Sequence, residues 1–142
     1  MSTPEINFFN EDRQVDLLNK ESIVKKLLGY ISENNRNCGV INYIFCSDSY
    51  LLDLNKRYLN HDYFTDILSF QMDEDPISGD IFISIDRVEE NAKDLNVPFQ
   101  DEVYRVISHG LLHFMGYKDK TEEQKMEMRK KENEIIEILS RT

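Results

Sequence analysis

The sequence predicts an α+β fold, in which a mixed sheet of about four strands is packed with helices. Four short segments are rich in β-branched and aromatic residues, partly in alternation with polar ones, as strands are. Five segments place apolar residues every three or four positions or begin with a helix cap, as amphipathic helices do. The 142 residues suit a single domain that spans residues 1–142.

The first half of the chain alternates between predicted strands and helices. Two segments predict an edge strand and a second strand, and they cover residues 6–9 and 38–47. Between them, apolar residues at helical spacing predict a helix over residues 17–34. Another helix begins with a cap at Asp48 or Ser49 and continues to about Tyr58. The polar segment 59–64 then predicts a loop.

The second half opens with two more predicted strands, at residues 65–70 and 79–85, which an acidic turn separates. A helix follows over residues 86–95. Asn96 and Pro98 end it, because a proline three residues beyond the last helical position cannot continue the helix. With these two strands, the predicted sheet has four strands in all.

Two further helices complete the predicted fold. The first covers residues 99–115, and its apolar side chains share one stripe: Val103, Ile107, Leu111 and Phe114. The last helix begins at Thr121, which can form a capping box with Gln124. In a capping box each of the two side chains accepts a hydrogen bond from a free backbone N–H at the helix start.

Charge and composition exclude several classes of protein. The net charge of −10 opposes nonspecific binding to nucleic acid, so a coating protein for RNA or DNA is not expected. No run of 18 apolar residues predicts a membrane span, and the N-terminus does not resemble a signal peptide. A cytoplasmic enzyme remains compatible with this charge, because a small site can be locally positive.

The two cysteines, Cys38 and Cys46, lie eight positions apart and belong to no Cys-x-x-Cys pair. A single disulfide is possible from their number alone. A pair of reduced, buried thiols is the interpretation that a cytoplasmic location favours, since cysteine often serves as a small core residue.

The segment at residues 109–120, HGLLHFMGYKDK, carries the side chains most suited to chemistry. His109 and His113 stand four residues apart on a predicted helix, so both imidazoles project from one face. Gly116 is placed to end that helix, because a left-handed C-terminal cap favours a residue without a Cβ atom. The chain can then turn back and present Asp119 as a third ligand, in the spacing of the long zinc-protease motif.

Three protein ligands leave a fourth position for water, which is typical of a catalytic zinc site. Such a metal polarises its water towards hydroxide and so supports hydrolysis at neutral pH. Zinc proteases also carry a glutamate directly after the first histidine, and here that position is Gly110. Peptide hydrolysis is therefore a weak alternative. His61 is interpreted as a loop residue, although it would replace Asp119 as a ligand if the fold brought it near.

Three segments resemble the YbeY-type family of endoribonucleases that mature ribosomal RNA. The sequence HGLLHFMGYKD at residues 109–119 resembles the family signature HGxLHLxGYDH. The sequence LNKRYLNHDYFTDILSF at residues 54–70 resembles a family segment that contains Leu-Asn, Tyr-Arg and T-D-V-L-S-F. A Gly-Asp-Ile pattern before an apolar strand is matched by GDIFIS at residues 79–84. The three segments occur in the family's order and spacing, and the resemblance extends from Leu54 to the C-terminal helix, which is more than half of the chain.

The resemblance implies a compact α+β domain that holds one zinc ion, with another divalent transition metal as the alternative. It also implies cleavage of single-stranded RNA in the maturation and quality control of ribosomal RNA, with the ribosomal subunit or ribosomal proteins as partners. Membrane binding and DNA binding are not expected.

The chain departs from the family pattern at three positions. Asp119 replaces the third histidine and Lys118 replaces the aspartate before it. An anionic ligand lowers the Lewis acidity of a metal relative to three neutral imidazoles. Leu59 stands where the family has an arginine, so a phosphate contact is missing there. Arg57 and Arg105 are candidates for that contact, although an ion pair on the surface is the more ordinary role.

Three functions follow from these observations. The leading hypothesis is a metal-dependent endoribonuclease, in which either water or the ribose 2′-OH is the attacking group. A ribosome-assembly factor with a structural metal is the second, since the acidic chain suits basic protein partners. A metallohydrolase of small phosphoesters is the third.

Overall fold

The computed structural model of the protein describes residues 3–61 and 65–141, in which four strands and five helices occur. The strands are β1 (Glu5–Asn10), β2 (Cys38–Cys46), β3 (Ile67–Glu74) and β4 (Ile77–Ser84). The helices are α1 (Lys20–Glu33), α2 (Asp48–Leu59), α3 (Ile85–Leu95), α4 (Phe99–Phe114) and α5 (Glu122–Ser140). The predicted α+β class is confirmed.

The sheet is mixed, with the strand order β1-β2-β4-β3. Strands β1, β2 and β4 are parallel, and β3 pairs with β4 in the antiparallel direction. Parallel neighbours need long crossover connections, which α1 supplies between β1 and β2. The strand predicted at residues 6–9 does lie at an edge, and β3 forms the other edge.

The main core lies between the sheet and the helices α1, α4 and α5. Side chains from alternate positions of β4, such as Ile81 and Ile83, point into it and are fully buried. Phe82, between them, points to the opposite face, where a smaller cluster around Leu51 of α2 covers the sheet. The two-residue period of a strand therefore places α2 and α4 on opposite sides of the sheet.

Several element boundaries differ from the predictions. The hairpin strands are longer than expected, because pairing continues to Glu74 and Ile77 and only two residues separate the strands. The predicted acidic turn contains Ile77, which is fully buried. On an exposed edge strand, polar residues such as Asp73 are compatible with pairing, and this explains why they were interpreted as a turn.

Two helix starts were also predicted wrongly. Helix α1 begins at Lys20 rather than residue 17, because Asn19 adopts a left-handed conformation with φ of 61°. The N-cap of α2 is Ser47, whose hydroxyl accepts a hydrogen bond from the Tyr50 N–H, and not Asp48 or Ser49. The predicted loop at residues 59–64 lies partly outside the described residues, since residues 62–64 are not among them.

The predicted capping box is confirmed, and the two cysteines are reduced as predicted, although only one of them is fully buried. Thr121 and Gln124 form both hydrogen bonds of a capping box at the start of α5. Cys38 and Cys46 are free thiols, the first half-buried and the second fully buried. None of the helices within residues 3–61 and 65–141 combines the length and apolar character that a bilayer span requires.

Candidate metal centre

The last turn of α4 and the segment after it bring three potential ligand atoms together. Nε2 of His109 lies 3.0 Å from Nε2 of His113. Oδ2 of Asp119 lies 3.3 Å from Nε2 of His109 and 3.4 Å from Nε2 of His113. In a tetrahedral zinc site with bonds of 2.0–2.1 Å, neighbouring ligand atoms stand about 3.3 Å apart. The three atoms therefore have the spacing of one face of such a site.

A glycine at the end of α4 turns the chain back towards the histidines. Gly116 has φ of 99°, a left-handed conformation that favours a residue without Cβ. Its N–H donates to the carbonyl oxygen of His113, and the Tyr117 N–H donates to that of Leu112. These two bonds form a Schellman motif, which ends the helix. Three residues later the chain places Asp119 beside the imidazoles, as the spacing predicted.

Hydrogen bonds to both Nδ1 atoms set the tautomers of the two histidines. Nδ1 of His109 lies 2.6 Å from Oε2 of Glu132, and Nδ1 of His113 lies 3.1 Å from the carbonyl oxygen of Tyr117. Because each partner accepts, each Nδ1 carries the proton and each Nε2 keeps its lone pair. Two lone pairs and a carboxylate that converge in this way repel one another unless a positive charge lies among them. The residues therefore fit a metal cation.

Glu132 is a site residue that the sequence analysis missed. Its side chain is only 5% exposed, and its other oxygen, Oε1, accepts a hydrogen bond of 3.1 Å from Arg105. A sequence signal did exist, because Glu132 occupies a position on the buried stripe of α5 that otherwise holds Met128, Ile135 and Leu139. A carboxylate on an apolar stripe needs a buried partner, and here it has two.

Electrostatic interactions tie Glu132 to His109. Burial opposes the charged form of His109, but the hydrogen bond and the negative charge of Glu132 raise its pKa above the usual value. Burial likewise opposes the charged form of Glu132, but its hydrogen bond to His109 lowers its pKa overall. Asp66, the residue before β3, shows the opposite balance, since burial raises its pKa despite the nearby His109.

The candidate metal centre lies between two open cavities. One of about 510 Å³ runs along β3 and is lined by Asp66, Ser69 and Gln71 in addition to the three potential ligands. The other, of about 680 Å³, runs along α5. The side chains of His109, His113 and Asp119 are 23%, 32% and 40% exposed, so a molecule from solvent can reach them.

The remaining candidate residues have other surroundings. Arg105 pairs with Glu132 and Glu102, and Arg57 pairs with Asp53 on the surface of α2. The Arg57 contact matches the interpretation as a surface ion pair, whereas Arg105 pairs with two buried carboxylates rather than on the surface. A contact of either arginine with phosphate stays a prediction. His61 is exposed, and among the described residues the potential metal-binding group consists of His109, His113 and Asp119.

Gly110 faces the sheet and not the potential ligands. A Cβ atom at this position would stand 2.9 Å from Cγ2 of Ile81 and 3.1 Å from Cδ1 of Ile67. The position therefore has no room for the glutamate that zinc proteases carry after the first histidine.

The fold and the site together define a class of protein. It is an α+β protein with a candidate three-ligand metal centre on one helix and the turn that follows it. The chain belongs to the family described as Endoribonuclease YbeY, whose family profile matches residues 5–140. The resemblance inferred from the three sequence segments is thus confirmed.

Relatives with this family name match nearly the whole chain. The Endoribonuclease YbeY of Flavobacterium johnsoniae is 49% identical over 129 residues, which cover 90% of this chain and 93% of the relative. That of Cytophaga hutchinsonii is 45% identical over 140 residues, with 97% and 98% covered. The solution structure of TM1509 from Thermotoga maritima has a TM-score of 0.67 and 27% identity, covering 95% of this chain and 89% of that one.

Proposed function

We propose that this protein is a zinc-dependent endoribonuclease that cleaves single-stranded ribosomal RNA during its maturation and in ribosome quality control. Membership of the Endoribonuclease YbeY family supports RNA cleavage. One structural observation carries the metal dependence: Nε2 of His109, Nε2 of His113 and Oδ2 of Asp119 converge within 3.4 Å of one another. Two imidazoles and a carboxylate form a donor set that suits zinc.

The residues in and around the proposed metal centre have distinct roles. Glu132 and the Tyr117 carbonyl orient the two imidazoles, which is the usual function of groups hydrogen-bonded to metal ligands. Asp119 contributes a negative charge that reduces the net charge of the loaded centre. One bound ion would supply positive charge and Lewis acidity at the phosphate to be cleaved.

Asp66 is a candidate for exchanging a proton with the substrate. It lines the same cavity as the proposed ligands, and burial raises its pKa above the usual value of an aspartate. A carboxyl group of raised pKa is suited to general acid or base work near pH 7. Asp66→Asn should therefore lower the cleavage rate while zinc content stays at the wild-type value.

Ribosomal partners, a cytoplasmic location and a single domain over residues 1–142 are further parts of this proposal. A ribosome-assembly factor with a structural metal is the second candidate, which the net charge of −10 favours. The exposure of the three proposed ligands supports the enzyme instead, because structural zinc sites are closed by a fourth protein ligand.

The test is cleavage of labelled single-stranded RNA by identically purified proteins. Wild-type protein should cut, whereas His113→Ala and chelator-treated wild type should not. His61→Ala is the matched control, since it removes an exposed histidine outside the metal centre and should cut normally. Equal rates in wild type and His113→Ala would identify a contaminating nuclease. If no protein cuts ribosomal RNA with any of several metals, the assembly-factor function becomes the better one.

A further inference from the structure

A cationic cavity runs along α5 and opens directly onto the candidate metal centre. We call it the α5 trough; its cationic side chains are Lys125, Arg129 and Lys130, its acidic ones are Asp119 and the buried Glu132, and His109 and Met126 also line it. Lys125 and Arg129 are one helical turn apart, so they lie on the same side of α5. The trough therefore leads from the proposed ligands along a row of positive charges.

This local charge contrasts with that of the whole chain. The protein carries a net charge of −10, yet residues 118–131 contain six lysines and arginines and only four acidic residues. This segment beside the candidate metal centre therefore carries a small positive charge in a chain that is acidic as a whole. A local field of this kind attracts an anionic ligand even when the overall charge repels it.

The charges of the α5 trough are available to a ligand. Arg129 and Lys130 are exposed, and within residues 3–61 and 65–141 neither side chain forms an ion pair or a hydrogen bond. Lys125 pairs only loosely with Glu122, at 3.7 Å and with both side chains mostly exposed. Arg105, by contrast, is held by the buried Glu132. The trough is therefore better placed than Arg105 to bind phosphate.

The cavity on the other side of the metal centre differs in charge. Its described lining contains no lysine or arginine, and it includes Asp66 together with Ser69 and Gln71. Among the described residues, the β3 side therefore offers a polyanionic strand no cationic side chain, whereas the α5 side offers three. Met126, which is 73% exposed in the trough, also offers apolar surface to an unpaired base.

We propose that the α5 trough binds the phosphates of a single-stranded RNA next to the phosphate that is cleaved, with Arg129 and Lys130 as the main contacts. The proposal rests on the proposed function, because it names the part of the protein that holds that substrate.

The experiment measures binding of a short fluorescent single-stranded RNA with 2′-O-methyl riboses to zinc-loaded protein over a series of salt concentrations. The test variant is Arg129→Ala/Lys130→Ala. The matched control, Lys20→Ala/Lys25→Ala, removes two exposed charges from α1. A second variant, Arg129→Lys/Lys130→Arg, keeps the charge of the trough.

Each phosphate contact to a single strand contributes about 0.7 to the magnitude of the slope of log K against log salt. The test variant lacks two such contacts, so the magnitude of its slope should be smaller by about 1.4. Its affinity should fall roughly tenfold at moderate salt, while its zinc content stays unchanged. The control and the charge-keeping variant should retain the wild-type slope. Equal slopes in the test variant and the control would overturn the proposal.

The outcomes separate this proposal from the proposed function. If wild type binds RNA through the trough but cuts no RNA, the RNA-binding role of the trough is supported and the proposed enzymatic function is refuted. If wild type cuts RNA and the test variant has the wild-type slope, the function stands and the trough is refuted. Failure of wild type to bind the probe also overturns the trough. So does stronger competition by polyglutamate than by RNA of equal charge, which would indicate an acidic protein as the ligand.

Discussion

Glu132 and His109, 23 residues apart in the chain, meet in a 2.6 Å hydrogen bond between Oε2 and Nδ1. The bond joins α5 to α4, and the other oxygen of Glu132 is held by Arg105. The imidazole that we propose as a metal ligand is thus oriented by a buried carboxylate, which is itself fixed from a second direction. This arrangement makes metal affinity depend on α5 as well as on the motif in α4.

Glu132→Gln should weaken zinc affinity about 10- to 100-fold, the usual effect of losing a group that orients a ligand. Glutamine removes the negative charge that faces both His109 and Arg105. Competition with a chromophoric chelator measures the affinity. Glu137→Gln is the control, since Glu137 is also on α5 but is 72% exposed and pairs with Arg141. Equal zinc affinity in Glu132→Gln and wild type would refute an orienting role.

Asp119→Ala should weaken zinc retention at least tenfold, because it removes one of three proposed ligands. Lys118→Ala, the adjacent substitution, should leave retention almost unchanged, since a lysine ammonium has no lone pair to donate. Asp119→His should restore binding and lower the pKa of the bound water, because a neutral imidazole offsets less of the ion's positive charge than a carboxylate does. Elemental analysis after dialysis measures retention. Unchanged retention in Asp119→Ala would assign the third position to another group.

Gly110→Ala should lower the free energy of unfolding by about 1–3 kcal/mol, the usual cost of overfilling a packed core. The added methyl group would meet the side chains of Ile81 and Ile67 at 2.9–3.1 Å. Gly29→Ala is the control on α1, because nothing lies within 4 Å of its added Cβ. That substitution should stabilise the helix, since alanine loses less backbone freedom than glycine. Urea unfolding compares the two, and equal stabilities would contradict the tight packing.

The Cys46 thiol should be unreactive in the folded protein. Burial raises its pKa to about 12, so only about one molecule in ten thousand carries the reactive thiolate at pH 8. Cys38 is half-buried with a raised pKa and should react slowly. A thiol reagent should therefore modify both cysteines at full rate only after denaturation. Rapid modification of two thiols in the native protein would show that β2 is more accessible than the structure indicates.

The parts of the site that are local in sequence were predictable. The distances between the proposed ligands follow from one helix, one left-handed glycine and one short turn, so His109, His113, Gly116 and Asp119 were found from spacing alone. Glu132 was not found, because its contact with His109 depends on how α5 packs on α4, and no short-range pattern specifies that packing. Its position on the apolar stripe of α5 nevertheless indicated that Glu132 is buried.

The fold was predictable to the same extent. Apolar periodicity, residue composition and helix caps together identified all the elements, whereas the ends of those elements depended on single residues. Helix α1 begins only after Asn19, because that residue has a left-handed conformation. Helix α2 begins after Ser47, whose hydroxyl accepts a hydrogen bond from a backbone N–H of the first turn. The hairpin of β3 and β4 was shortened in the prediction, because polar residues on an exposed edge strand resemble a loop.

Tyr117 uses both groups of its backbone at the end of α4: its N–H donates to Leu112, and its carbonyl accepts from His113. Fraying of this turn and misorientation of His113 are consequently one event. Zinc should protect the Tyr117 amide against hydrogen exchange, by about 100-fold at free zinc 100 times the dissociation constant. Deuterium uptake at this peptide therefore reads metal occupancy directly, in a protein that need not be catalytically active.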